Sequence, residues 1–411
     1  MGKKRALEGI HVADLSHVLA APTASMILAD LGAEVIHIEP PSGDDARQFG
    51  PFIGGQSAYF ISINRNKKSM VVDLKKEEGK AILREIIRAC DVVLENFKPG
   101  TMKKLGFSYE DCRQINPRII YASISGFGHE TPPEYADKPA YDMIAQAYSG
   151  LMSICGPEGG PPVRVGTSVG DIIAGHQCAI SILAALRHRD GTGEGQQIDH
   201  SMVDGLLYIL ENALVRYTVG GDIPKPLGTM HPSVTPFQAF PTKDSWIVIA
   251  VGNDTIWQRF CTALGRPELI EDDRFRSNEL RTQHRDQLIP LIENLIKGST
   301  TGHWLDVLRS GEVPCSPIHS IDQIVEDPVV AHRRMLATVE QPEAGPVRVA
   351  ASPFRMSVTP GEVYAHAPLL GEHTVEVLRD LLGYSEDSIH TLREQHVVYS
   401  AEDLPENGPA A

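Results

Sequence analysis

The sequence contains no C-x-x-C pair. Its six cysteines, Cys90, Cys112, Cys155, Cys178, Cys261 and Cys315, are scattered, which excludes a zinc ribbon or a redox dithiol and predicts reduced, mostly buried thiols. None of its sixteen histidines stand at H-x-H or H-x-x-x-H, the spacings that put two imidazoles on one face of a strand or helix, so no metal site is expected. No apolar run reaches the ~20 residues a bilayer requires. The longest, such as Ile172 to Leu186, carries Gly175, His176 and Gln177. At the N-terminus, Lys3, Lys4 and Arg5 precede only Gly9 to Leu15, which His11 and Asp14 interrupt, so no signal peptide is read there. Internal repeats and low-complexity tracts are absent as well. Positive charge is in short supply, 38 Lys and Arg against 53 Asp and Glu, and the net charge of −15 opposes binding to a phosphate backbone. These absences predict a cytoplasmic chain with neither a membrane nor a nucleic acid as partner.

What is present is an alternation of short apolar runs and helical periods over 411 residues, enough for two domains. Ile10 to Leu15 has strand character, Pro22 to Leu31 reads as a helix with proline in its first turn and Gly32 as its stop, and Val35 to Ile38 is a second strand. Met70 to Leu74, Val92 to Leu94 and Ile119 to Ile124 continue the strands, with a helix over Glu77 to Cys90. This pattern predicts an α/β fold with a parallel sheet and helices on both faces. A long helix from Ile172 to Arg189 stops at Asp190-Gly191-Thr192-Gly193, and Gln196 to Asp199 then forms another strand before a helix from Met202. Gly220, Gly221, Pro224, Pro226, Gly228, Pro232 and Pro236 crowd the next stretch, which places a boundary near residue 225. Beyond it, Phe237 to Val251 predicts a hairpin, and amphipathic helices follow to about residue 310, a smaller α+β domain. The expected division is 1–225, 226–325, and a C-terminal segment 326–400 with helices over Thr374 to Leu382 and Ser388 to His396; residues 401–411 form a polar, frayed tail.

A dinucleotide fold places G-x-G-x-x-G after its first strand, whereas here the turn reads Ser16-His17-Val18-Leu19-Ala20-Ala21-Pro22. A nicotinamide cofactor is therefore not expected, although a nucleotide-shaped ligand can still bind at the carboxyl ends of the strands. Gly166-Thr167-Ser168-Val169-Gly170-Asp171-Ile172-Ile173-Ala174-Gly175 sets an aspartate among small residues where the long helix begins. Two readings of Asp171 are open: an N-cap, or a nucleophile that small neighbours leave accessible and the positive helix end keeps ionised.

Longer motifs carry a resemblance that favours the second. The opening L-x-G-I-x-V-x-D-x-S-x-V-x-A-x-P spans Leu7 to Pro22, and Leu28 to Ile36 reads L-A-D-L-G-A-E-V-I. Asn64 to Ser69 (N-R-N-K-K-S), Asp91 to Phe97 (D-V-V-L-E-N-F), Leu105-Gly106-Phe107, Ser125 to Gly128 (S-G-F-G), Gly170-Asp171 and Gly371 to Leu378 (G-E-H-T-V-E-V-L) follow. Together they resemble the class III CoA-transferases, the formyl-CoA and carnitine CoA-transferase family, over nearly the whole chain. The resemblance implies transfer of coenzyme A from an acyl-CoA to a free carboxylic acid. Asp171 would be the carboxylate that is acylated, passing through a mixed anhydride and an aspartyl-CoA thioester. It implies a Rossmann-like large domain built from both chain ends, a small central domain, and an interlocked homodimer. No tightly bound cofactor is implied, coenzyme A and acyl-CoA being substrates. By the family's pattern His17, Val18, Ala20, Lys75, Asn96, Phe97, Lys104 and Lys138 match CoA-contacting positions.

Two departures refine this expectation. Pro40 stands where formyl-CoA transferases carry an arginine against the nucleotide, which leaves Lys67, Lys68 and Arg47 as candidate substitutes. The glycine-rich lid of the formyl-CoA branch is missing, and Gly228 to Phe240 (G-T-M-H-P-S-V-T-P-F-Q-A-F) resembles the carnitine-type branch, with His231, Thr235 and Tyr141 as candidates for the acyl group or acceptor. Two competing functions are a 2-methylacyl-CoA racemase on the same fold and a CoA-binding protein without turnover. Racemases that resemble this chain carry a histidine in an A-G-H-D segment. Here Pro139-Ala140-Tyr141-Asp142 puts Tyr141, with an ordinary pKa of ~10, at that place, and His129 is the displaced substitute.

Overall fold

The computed structural model describes residues 4–136 and 138–404. Chain contacts group into a large unit of Met1–Leu151, Val165–Asn212 and Val329–Ala411, and a small unit of Met152–Arg164 and Ala213–Pro328. The divisions fall at 212 and 328, where the sequence places them near 225 and 325, and a short excursion at 152–164 also joins the small unit.

In the large unit the elements run β1 (His11–Asp14), α1 (Ala20–Asp30), β2 (Glu34–Glu39), β3 (Lys68–Val72), α2 (Glu77–Ala89), β4 (Val92–Glu95), β5 (Ile120–Ser125), α3 (Asp142–Tyr148), α4 (Val169–Thr192), β6 (Gln197–Ser201) and α5 (Met202–Tyr208). The six strands pair in parallel in the order β3-β2-β1-β4-β5-β6. That order is the doubly wound one, whose direction of growth reverses between β1 and β4 and leaves a crevice at their carboxyl ends. Strand periodicity sends alternate side chains to opposite faces. Ala13, Ile36, Met70 and Val93 pack with Ile82, Leu83, Ile86 and Ile87 of α2 on one face. Asp14 and His37 turn to the other, where Ser25 of α1 donates to Asp14 Oδ2 at 2.6 Å.

The helix α4 has 24 residues, and its most apolar 18-residue stretch has a mean hydropathy of 1.5, enough in length and composition to cross a bilayer. Its packing is that of a core helix: it lies against α1, α3 and α5, and Arg189 near its end pairs with Asp91 at 2.9 Å. Gly175 permits the α1 contact, because a Cβ there would sit 2.5 Å from the Ala20 carbonyl oxygen and 2.7 Å from Thr23 Cβ.

The small unit is built on strands β7 (Phe237–Pro241) and β8 (Trp246–Ala250), the expected hairpin, with helices α6 (Asp254–Ala263), α7 (Arg285–Ile296) and α8 (Thr301–Ser310). A third strand, β9 (Cys315–Pro317), pairs antiparallel to β8. Phe240, Ile247, Ile249, Trp257, Phe260, Leu288, Ile292 and Leu308 form its buried core.

The chain then returns to the large unit. A hairpin of β10 (Leu336–Gln341) and β11 (Gly345–Ala350), which sequence reading does not find, packs Val339, Val347 and Val349 on Phe60 and Ile61. The helix expected over Thr374 to Leu382 is a single α-turn, Thr374–Glu376, passing into a π-turn at Val377–Leu381. After α9 (Glu386–Glu394), the strand β12 (Val398–Tyr399) adds antiparallel to β3 at the sheet edge. Both chain ends thus build one sheet. Of the tail expected to fray, Ala401–Asp403 forms a 3-10 turn in which Asp403 pairs with Arg393 at 2.7 Å, and residues 405–411 lie outside the described residues.

Candidate active site

The crevice between β1 and β4 holds a cavity of about 240 Å³. Its walls come from the turn after β1 (His17, Val18, Leu19, Ala20), the turn after β4 (Asn96 to Pro99), the end of β5 (Ile124 to Gly126), the segment Lys138 to Tyr141, and Asp171 with Met202. The two turns are locked together. Asn96 accepts the His17 N–H through Oδ1 at 2.9 Å and donates from Nδ2 to the His17 carbonyl at 2.8 Å. Both polar ends of the Asn96 side chain are thereby committed to shaping the turn. Glu95 Oε2 accepts the Phe97 N–H at 2.8 Å, and the Phe97 ring meets His17 edge-on at 5.5 Å. Gly126 lets the Lys138 to Tyr141 segment close on β5, since a Cβ would lie 2.2 Å from Ala140 Cβ.

Helix α4 begins earlier than its apolar period implies. Ser168 is the N-cap and Asp171 is the third helical residue, so the N-cap reading of Asp171 is replaced. Gly170 gives its N–H to Asp142 Oδ1 at 2.7 Å, and a Cβ at Gly170 would lie 3.0 Å from that oxygen. The arrangement brings the buried Asp142 beside the half-buried Asp171. Burial first, and the Asp142 charge second, push the Asp171 carboxyl up to about 7. The helix end favours ionisation of Asp171, while desolvation and a like charge oppose it. Tyr59, absent from the sequence reading, senses the same charges: burial first, then Asp171, Asp44 and Asp142, push its phenol up to about 12.

A row of buried polar groups underlies the β1 turn. Asp14 pairs in register with His37 across β1 and β2, and His37 with Ser69 across β2 and β3. His37 lies 3.5 Å from both Asp14 and Asp44, and Lys67 Nζ lies 3.3 Å from Asp14. Glu39 takes Arg47 in two bonds of 2.7 Å each. Burial alone would lower the imidazole, but Glu39, Asp14 and Asp44 push His37 up to about 9. Three buried carboxylates therefore face the buried His37 and Lys67 and the partly buried Arg47, the arrangement in which buried charge is tolerated. This row settles the fate of the three cations expected to replace the missing arginine. Lys67 is fully buried, Arg47 is held by Glu39, and Lys68 bridges Glu34 and Glu376 at 2.9 Å each.

Of the residues expected from sequence, Asp171, His17, Val18, Ala20, Asn96, Phe97, Lys138 and Tyr141 line the cavity. The Lys138 ammonium rests over the Tyr135 ring at 3.9 Å, and Tyr141 is 77% exposed. Lys75 is exposed on the turn after β3 and Lys104 on the short helix Thr101–Leu105, and neither is among the lining residues. His231 and Thr235 belong to the small unit. There the His231 ring packs on Phe237 at 5.4 Å, and Thr235 is buried with its carbonyl taking Arg281 Nε at 2.9 Å. His129, the displaced base a racemase would need, turns to Glu95 at 3.8 Å and does not line the cavity. Sequence reading missed Leu19, Lys98, Ser125, Met202 and Asp142. Two of these had a signal: Asp142 in the P-A-Y-D segment, beside Tyr141, and Ser125 in the S-G-F-G motif. Among the described residues no His, Cys, Asp and Glu cluster is placed to hold a metal.

Comparison with known proteins meets this geometry. The profile described as CoA-transferase family III matches residues 7–374. Human succinyl-CoA:glutarate CoA-transferase is 38% identical over 97% of this chain and 91% of its own, and the acetyl-CoA:oxalate CoA-transferase of Acetobacter aceti is 43% identical over 86% and 90%. A crystal structure of a CAIB/BAIF family protein from Brucella suis superposes with a TM-score of 0.82 at 35% identity, covering 92% of this chain and all of that one. With the family profile spanning most of the chain, and the fold matched over almost its full length, this protein belongs to CoA-transferase family III, enzymes that pass coenzyme A between an acyl-CoA and a carboxylic acid.

Proposed function

We propose that the exchange runs through Asp171. Its carboxylate attacks the donor thioester carbonyl, giving an Asp171 acyl anhydride and CoA thiolate. The thiolate then attacks the Asp171 carbonyl, forming an aspartyl-CoA thioester and releasing the donor acid. An acceptor carboxylate repeats the two steps in reverse, regenerating Asp171 and leaving as acyl-CoA. The observation that carries this reading is a half-buried carboxylate, without a cationic partner among the described residues, on the wall of the crevice cavity. Partial burial strips water from the nucleophile and shields the anhydride from hydrolysis, while a value near 7 leaves a large ionised fraction at neutral pH. His17, Val18, Ala20, Phe97 and Lys138 would hold coenzyme A, with Asn96 acting through His17. Lys75 and Lys104 remain candidates for coenzyme A by family pattern, and His231 and Thr235, with Tyr141, for the acyl group or acceptor.

The named activities of the two relatives involve short dicarboxylic acids, glutarate and oxalate, and the same class is proposed as acceptor here, with succinyl-CoA as a first donor. A homodimer is proposed on the exposed apolar side chains of α3 and its flank (Tyr141, Met143, Ile144, Tyr148) and of 207–223 (Tyr208, Val219, Ile223), which a partner would cover. Six free thiols accord with a reducing, cytoplasmic setting. The test is a panel of acyl-CoA donors against dicarboxylates, read by mass spectrometry of the CoA products, with hydroxylamine added during turnover. The proposal expects one productive pair and a trapped Asp171 hydroxamate. Transfer with no label on Asp171 would overturn it.

A further inference from the structure

The strongest backbone anomaly in the cavity wall is Val18. It is β-branched and adopts φ +64°, a region such residues almost never enter. Such a conformation costs ~1–3 kcal/mol and persists only where the surroundings over-determine it. Two groups do so here. Asn96 clamps His17 from the β4 side. From the β2 side the Asp44 carboxylate accepts the Val18 N–H, at 3.1 Å to Oδ1 and 3.3 Å to Oδ2.

Asp44 is 3% exposed and itself fixed. Its backbone N–H donates to Glu39 Oε2 at 3.0 Å, its Oδ1 accepts the Ala46 N–H at 2.8 Å as the cap of the 3-10 turn Asp45–Gln48, and His37 stands 3.5 Å from Oδ2. The charged row beneath the sheet face thus reaches the cavity through one hydrogen bond. We propose that Asp44 is a positioning residue for coenzyme A: by holding the Val18 N–H it keeps the His17 to Ala20 wall in the shape that receives the ligand. This rests on the reading of the cavity as the CoA site and goes beyond it, since Asp44 does not line the cavity.

If Asp44 acts this way, releasing the turn lets Val18 relax to negative φ, and only the fraction of molecules keeping the strained form binds well. Asp44→Ala should then raise both the Kd for free coenzyme A, by calorimetry, and the KM for acyl-CoA by about ten-fold, with kcat changed far less. Glycine enters positive φ without steric cost, so Val18→Gly added to Asp44→Ala should recover most of that loss. A role confined to general stability would not be rescued by a glycine in the turn. Asp44→Asn retains an acceptor oxygen and should bind coenzyme A within about two-fold of wild type, even though loss of the His37 counter-charge lowers its stability. A folded Asp44→Ala with wild-type affinity overturns the proposal, as does a double variant no tighter than the single. Where Asp44→Ala does not fold, a ten-fold loss of affinity in Asp44→Asn overturns it. A wild-type protein that binds coenzyme A but exchanges it between no acids would refute the transfer reading and leave this test intact.

Discussion

Asp14 and Asp171 are two carboxylates of one unit with opposite surroundings. Asp14 is fully buried at the end of β1, yet Lys67, His37, Ser16 and Ser25 surround it; burial alone would raise its carboxyl, and these partners hold it well below the ordinary range. Asp171 is less buried, but its charged neighbour is another carboxylate, and it is pushed up to about 7. The depth of burial therefore does not separate a structural acid from the one proposed to react. The sign of the neighbouring charge does, because it decides whether ionisation is already compensated or is left available for chemistry.

The sharpest way to break the comparison is to make both residues asparagine. Asp171→Asn should lower transfer by roughly six orders of magnitude, the scale seen when a nucleophile is removed. It should at the same time stabilise the fold at neutral pH. A carboxyl raised in the folded state favours folding below its unfolded value near 3.9, and that contribution disappears as pH rises through about 7. The melting-temperature advantage of the Asn variant should therefore grow from pH 4 to pH 8, at about 2–4 °C per kcal/mol. Asp14→Asn should do the reverse, losing ~3–5 kcal/mol because Lys67 and His37 remain buried without their partner. Differential scanning calorimetry of both variants checks the opposite signs; a destabilised Asp171→Asn would show that its carboxylate is compensated after all.

The same contrast sets a pH dependence. If only ionised Asp171 attacks, kcat/KM should fall about ten-fold per pH unit below a midpoint near 7, a drop of about two orders of magnitude between pH 7 and pH 5. His37 acts in the other direction. Raised to about 9, it contributes stability that is fully present below its unfolded value near 6.5 and is lost as pH rises through about 9. Activity measured by CoA product and stability measured by melting should thus part company above pH 8. A midpoint of kcat/KM near 4 would place Asp171 among the compensated acids.

How much of this contrast is legible in sequence depends on distance along the chain. The β1-α1-β2 unit and the Gly170-Asp171 element were readable because their periods and motifs are local. The apolar period starts α4 at Ile172, three residues after its start at Val169, because Val169 to Asp171 carry no such period, and that offset is what makes Asp171 read as a cap. The row Asp14, His37 and Ser69 was not readable at all: it exists through strand register between segments more than 20 residues apart. Read locally, Lys67 belongs to a basic N-R-N-K-K-S run that invites a phosphate; in the fold it is the buried counter-ion of Asp14. The hairpin of β10 and β11 was missed for a related reason, as its apolar residues alternate with charge and find their partners in Phe60 and Ile61.

Placement of Asp171 can be disturbed without touching its charge. Gly175 lies one helical turn on, where α4 meets α1, and a methyl there would collide with the Ala20 carbonyl and Thr23. Gly175→Ala should cost ~1–3 kcal/mol of stability as the two helices part. Because Ala20 also lines the cavity, the displacement should separate Asp171 from the turn after β1. A shift near an ångström between reacting groups can cost up to ~100-fold in rate, and a fall in kcat of about ten-fold is expected here. An alanine variant with full kcat would mean that the helix pair does not fix the nucleophile.

The smallest effect expected is at the cations, and it separates two lysines that sequence treats alike. Lys138 and Lys104 both match CoA-contacting positions by family pattern, and the net charge of −15 makes local cations the natural holders of phosphate. Lys138 lines the cavity, with its ammonium over the Tyr135 ring, while Lys104 stands exposed on the helix Thr101–Leu105. Exposed ion pairs contribute ~0–1 kcal/mol, which caps the expected rise in KM at about five-fold. Lys138→Ala should approach that cap with kcat nearly unchanged, the pattern of lost ground-state binding, and its effect should shrink as salt rises. Lys104→Ala should raise KM less, since Lys104 stands outside the cavity wall. Steady-state kinetics on both variants at low and high salt checks the order; a larger, salt-insensitive effect at Lys104 would move the phosphate path away from the crevice mouth.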